Sequence, residues 1–149
     1  VEKLVQTWEI NARLNAFLIA AISDEGLGTK GENSKRVLDH FVHIHNVRLM
    51  WLKASAPDLL EGTEKQDPTC TREELLGALE TSAARISELL RRSAETGRIK
   101  GFKPHATAFV GYLISHETFH RAQVELTLRQ AKMPISDKVA FGLWEWGVR

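Results

Sequence analysis

Apolar residues recur three and four positions apart along almost the whole chain, the period of an α-helix with one buried face. Leu4, Trp8, Asn11, Asn15, Leu18 and Ile22 share one such stripe, widened by Val5, Leu14, Phe17 and Ala21. Asp24-Glu25-Gly26-Leu27-Gly28 is expected to end this first helix, because glycine tolerates the left-handed dihedrals of a helix C-terminus. A second helix is predicted from Asn33-Ser34, both good N-caps, to about Ala54, with Val37, Leu38, Phe41, Val42, Ile44, Leu49, Trp51 and Leu52 as its apolar set. Pro57, Gly62 and Pro68 mark Ser55 to Cys70 as a loop, long enough to be functional and to allow a crossover between helices.

Thr71-Arg72-Glu73-Glu74 has the form of a capping box, with the hydroxyl at the N-cap and a carboxylate three residues on. The third helix should run through Leu75, Leu79, Ser82, Ile86, Leu89 and Leu90 to Thr96, where Gly97 stops it. Pro104 suits the first turn of a fourth helix. That helix carries Phe109, Leu113, His116, His120, Val124 and Thr127 on one face and reaches about Ala131, before Met133-Pro134 breaks it. Ser136-Asp137 can cap a short fifth helix ending in Trp144-Glu145-Trp146-Gly147. No segment alternates as a strand would. The expected fold is all-α: a four-helix bundle with a short C-terminal extra helix, one domain over residues 1–149, with no simple up-down order assumed.

Composition narrows the function classes. At 43% apolar and 26% charged residues the chain is ordinary for a globular protein and unlike a disordered one. Twenty basic against nineteen acidic residues leave no excess to neutralise a phosphate backbone, so nucleic acid is not an expected partner. No apolar run approaches the ~20 residues that span a bilayer. Val1-Glu2-Lys3-Leu4 lacks a signal-peptide pattern, and a cytoplasmic protein is expected. The single cysteine, Cys70, excludes an intramolecular disulfide, and it is expected to be inert because no Lys, Arg or His crowds it from the N-terminal side.

Candidate chemistry lies in the histidines. Six are present: His40, His43 and His45 in the second helix, His105 near the start of the fourth, and His116 and His120 within it. His116 and His120 are an i, i+4 pair, which puts both imidazoles on one helix face about 5–6 Å apart at Cβ. That spacing suits two nitrogen ligands to one metal ion, and a metal would satisfy two polar rings on an otherwise apolar stripe. The alternative is two core histidines bonded to neighbouring side chains or carbonyls. Asn11 and Asn15 interrupt the first helix's stripe in the same way. They satisfy each other or water, or they face a polar cleft.

His116-Glu117-Thr118-Phe119-His120 also matches H-E-x-x-H, in which two histidines hold zinc and the glutamate acts as general base. The context does not favour a metalloprotease: only 29 residues follow His120, and no strand is predicted to hold a peptide.

The segment from His116 through His120-Arg121-Ala122-Gln123-Val124 to Leu128-Arg129-Gln130 resembles the last helix of the DinB-like family, whose pattern is His, three residues, His-Arg-Gly-Gln, then Leu-Arg-Gln. Phe41-Val42-His43 followed by Trp51-Leu52 is similar to the family's second-helix histidine and Trp-Leu pair, and Asn11-Ala12-Arg13-Leu14 is similar to its Asn-x-Arg-Leu element. The resemblance covers essentially the whole chain. It implies a four-helix bundle holding a divalent metal through three histidines, which here are His43, His116 and His120. It also implies a homodimer, and it points to thiol-dependent S-transferases and isomerases that use low-molecular-weight thiols. Ala122 stands where the family has glycine, which would tighten a helix contact near the site. Periodicity alone would bury His45 and not His43, so the choice of second-helix ligand stays open between alignment and period. His40 is expected to be solvated, or else to support the site one turn from His43.

Three neutral imidazoles leave a coordination position open and suit Zn, Ni, Fe or Cu. One expected function is transfer of a low-molecular-weight thiol to an electrophilic small-molecule substrate. The alternative is a non-catalytic metal- or ligand-binding stress-response bundle. Glu117 is expected on the helix surface. Trp8, Trp51, Trp144 and Trp146 would fill the core or line a pocket beside the metal.

Overall fold

A computed structural model describes all residues, 1–149. Four long helices carry the fold: α1 (Glu2–Ala20), α3 (Val37–Ser55), α4 (Arg72–Arg92) and α5 (Ala106–Gln130), with two short helices, α2 (Asp24–Gly28) and α6 (Asp137–Gly142). Single 3-10 turns cover Pro57–Leu60 and Trp146–Val148. There are no strands, only one isolated bridge between Lys30 and Arg36. No helix is long and apolar enough to cross a membrane.

The long helices stand in the ring order α1, α4, α3, α5. One end of the bundle gathers Val5 and Trp8 of α1, Leu52 of α3, Ile86 to Leu90 of α4 and Phe109 to Leu113 of α5. The other gathers Leu18, Phe41, Leu75 and Val124. Hence α1 and α5 run one way and α3 and α4 the other. The segment between α3 and α4 is a crossover that returns the full length of the bundle, the connection its length allowed.

Between the two apolar clusters each long helix contributes polar residues to one buried layer: Asn11 and Asn15, His45 and Arg48, Ser82, and Glu117 and Arg121. Glu117 Oε1 accepts from Arg48 Nε at 2.7 Å, and Oε2 accepts from Arg48 Nη2 at 2.9 Å, Asn11 Nδ2 at 2.8 Å and Asn15 Nδ2 at 2.9 Å. Arg48 Nη1 donates to the Leu79 carbonyl and to Ser82 Oγ. The Arg121 guanidinium donates to the amide oxygens of Asn15 and Asn11 at 2.9 and 2.8 Å and to Thr118 Oγ1 at 3.1 Å. Buried charges demand such saturation, because an unpaired one costs several kcal/mol.

Several element ends differ from the expected ones. Ser23 Oγ accepts from Gly26 N and so caps α2, where the sequence suggested only the end of the first helix. Ser34 does not cap: it sits at φ 64 inside the turn before α3, and Asp39 accepts from the Arg36 backbone N–H instead. Thr71 caps α4 as its sequence predicts, but α4 ends at Arg92, and the chain turns through Ser93–Thr96 to Gly97 at φ +65, a left-handed conformation that suits glycine. The α5 N-cap is His105, whose Nδ1 accepts from Ala108 N, so Pro104 lies outside the helix. Cys70 is half-buried, and burial with Glu74 and Asp67 nearby pushes its thiol above its usual value, in keeping with an inert cysteine.

Candidate metal centre

The structure brings His43 of α3 together with His116 and His120 of α5. One ring nitrogen from each lies within 4.8 Å of the other two. The ring centroids are 5.2 Å apart for His43 and His116, 4.7 Å for His43 and His120, and 4.7 Å for His116 and His120. His43 Nε2 and His116 Nε2 face each other at 3.3 Å. Nitrogens at 2.0–2.1 Å from one tetrahedral ion stand about 3.3 Å apart, so this edge already has the length a metal needs. His43 is exposed and the other two half-buried, which leaves the cluster open to solvent on one side.

His45 takes no part in the cluster. It is fully buried, with Nδ1 3.1 Å from Ser82 Oγ and Nε2 2.7 Å from the Glu64 carbonyl. Periodicity therefore identifies the buried histidine and the family alignment the one beside His116 and His120. His40, expected to be solvated, is buried, and its Nδ1 lies 2.9 Å from His120 Nδ1. That contact uses Nδ1 of His120 and leaves its Nε2 free.

Burial holds His40, His43, His45, His116 and His120 below the ordinary imidazole value. His120 is pushed down to about 3 by burial first, and then by His116, His43, His40 and Lys35. Neutral imidazole is the form that binds a metal. Two buried ring nitrogens, His116 Nδ1 and His40 Nε2, lack any partner in the chain. An all-nitrogen donor set, neutral at neutral pH and with facing nitrogens, fits a divalent ion of the Zn, Ni, Cu or Fe type.

The same shifts set a pH dependence. The unfolded chain protonates these five histidines near pH 6.5 and the folded chain only at lower pH. Between those values the unfolded state binds more protons, so stability is lost as pH falls below about 6.5. The thermal midpoint of the metal-free protein, followed by calorimetry, is expected to hold steady from pH 8 to 7 and to decline from pH 6.5 to 5. A midpoint that does not change over that span would contradict it.

Other expectations need correction. Glu117 is not a surface carboxylate: it is fully buried, with both oxygens bonded to Arg48 and the two asparagines. It is held inside the bundle, away from the open face of the cluster where a metallohydrolase base would meet water. Asn11 and Asn15 bond neither each other nor a cleft but this carboxylate and Arg121. Ala122 is exposed, so its methyl tightens no helix contact. Trp8 is core and donates to the Ala83 carbonyl. Trp144 is 80% exposed and, with Trp146, borders a cavity of about 200 Å³ whose lining holds no histidine. Only Trp51 approaches the site: it packs edge-on against Tyr112, whose ring stacks at 13° on His116.

Sequence reasoning missed the polar layer, although its signal is present. The buried stripe of α5 is Leu113, Glu117, Arg121, Val124 and Leu128, one residue round from the stripe through His116 and His120. The histidines thereby lie at the edge of the core, on the surface between α3 and α5.

Comparison with the curated proteins and with the solved structures gives no match. The family model described as the DinB family matches residues 1–138. Together with the all-helical bundle and the three-histidine cluster, this match shows that the chain belongs to the DinB family.

Proposed function

We propose that His43, His116 and His120 hold a divalent metal ion and that the protein uses it to transfer a low-molecular-weight thiol to an electrophilic small molecule. The observation that carries this reading is the convergence of three neutral imidazoles on a face left open by His43. A bound ion would supply positive charge that keeps a thiol as thiolate at neutral pH. In the transfer, sulfur forms the new bond to carbon, the leaving group departs with its electron pair, and the thiol proton passes to solvent. His40 supports the arrangement by engaging His120 Nδ1. Tyr112 and Trp51 give the His116 side of the site an aromatic wall.

Elemental mass spectrometry of tag-free protein tests the first half. Wild type is expected to carry near-stoichiometric metal and His43→Ala to lose it. Cobalt(II)-loaded protein tests the second half, because a thiol that reaches the ion adds a sulfur-to-cobalt charge-transfer band. Metal without any thiol band would favour a non-catalytic metal-binding bundle.

The same proposal includes a homodimer. Tyr112, Phe119 and Leu126 are exposed at seven-residue intervals on α5, a stripe suited to a second copy of the helix. Light scattering is expected to find pairs for wild type and single chains for Phe119→Arg.

A further inference from the structure

The crossover after α3 sorts charge. His45 Nε2 lies 2.7 Å from the Glu64 carbonyl, and Asn46 exchanges two hydrogen bonds with the Gln66 backbone, at 2.9 and 3.0 Å. These contacts pin the chain on both sides of Lys65. Glu64 lines a depression of about 280 Å³ together with Glu73 and Glu74. Lys65 instead lines a separate open groove of about 560 Å³ between α3 and the crossover. His43 stands in that groove's wall, followed by Val47, Met50 and Lys53 of α3 and faced by Leu60.

No carboxylate lines the groove, and neither Lys53 nor Lys65 has an ion-pair partner. Asp39, one turn before His43, is already bound by Arg36. The groove thus offers an apolar floor with two free cations and the exposed histidine of the metal cluster. Met50, 52% exposed, has no cover from the chain itself.

We propose that this groove binds the organic part of the substrate, an elongated small molecule whose carboxylate meets Lys53 and Lys65, whose apolar middle lies on Val47, Met50 and Leu60, and whose donor atom ends at His43. The position of the donor atom rests on the metal-centre reading; the carboxylate site rests on the groove alone. Length follows from the helix. Lys53 is ten residues beyond His43, about 15 Å along the axis. Its side chain leans back toward the helix N-terminus, so a ligand of roughly 8–12 Å bridges the two ends.

Octanoate has that length and is the probe for the metal-free full chain. Its binding should move the amide resonances of Val47, Met50, Lys53 and Lys65, while octylamine, with the charge reversed, should not. Lys53→Ala/Lys65→Ala, with both changes on exposed side chains, should weaken octanoate binding at least tenfold. Equal binding of octanoate and octylamine, or octanoate binding unchanged in the double variant, overturns the proposal. A second arm uses cobalt(II)-loaded protein. There 8-mercaptooctanoate should bind tighter than 2-mercaptoethanol, and the double variant should erase the difference. Octanoate binding without cobalt uptake would uphold the carboxylate site and overturn the metal reading.

Discussion

Glu117→Ala is expected to cost about 3–5 kcal/mol of folding stability, the usual loss when one member of a buried ion pair is removed. The carboxylate and its Arg48 partner are each about 1% exposed, so neither charge has water to fall back on. Without Glu117, the Nε and Nη2 of Arg48 and the side-chain amides of Asn11 and Asn15 lose their acceptors together. Two guanidiniums, those of Arg48 and Arg121, would then share a core with no anion. Since whole domains are stable by only about 5–15 kcal/mol, a large share of the total is at stake. Urea unfolding measures it. The double variant Glu117→Ala/Arg48→Ala should cost less than the two single changes added together, because it removes the stranded charge along with its partner. A Glu117→Ala loss below 1 kcal/mol would show that the layer does not hold the bundle.

Metal affinity should separate the histidines in a second experiment. With affinities read by competition against a chromophoric chelator, His120→Ala is expected to fall more than a hundredfold. It removes a ligand, whereas losing a residue that merely orients a ligand typically costs 10–100-fold. His40→Ala belongs in that lower range, because it frees His120 Nδ1 without removing a donor from the cluster. His45→Ala should leave affinity unchanged while lowering stability by about 2–4 kcal/mol, since it empties a buried site and removes the bonds to Ser82 Oγ and the Glu64 carbonyl. Loss of metal in His45→Ala with metal retained in His120→Ala would refute the assignment.

Much of the fold was legible because periodicity reports burial directly. Each long helix lies where its apolar stripe falls, and the length of the Ser55–Cys70 segment allowed for the crossover without requiring it. Helix ends were less legible. Ser34 and Asn33 are good caps by type, yet the turn that brings Lys30 opposite Arg36 leaves them short of the helix start. In the site, the i, i+4 spacing of His116 and His120 and the motif around His43 marked the residues that meet. Glu117 was misread because a lone carboxylate on a helix is read as solvated. Its partners come from elements far apart in sequence: Asn11 and Asn15 on α1, and Arg48 on α3. Only the shared register of four helices brings them into one layer.

That layer has a consequence for how an ion would enter. Its bonds tie α5 to α1 and α3 without help from any metal, so the imidazoles are presented in advance. Binding then need not drive folding, in contrast to small zinc modules that collapse around their ion. One of the three imidazoles, His43, faces solvent, so an ion could exchange with the surroundings without the bundle opening. A site that fixes only three donors and leaves the other positions to solvent discriminates weakly by shape. The metal it carries would follow the relative affinities of imidazole sites and the supply in its surroundings.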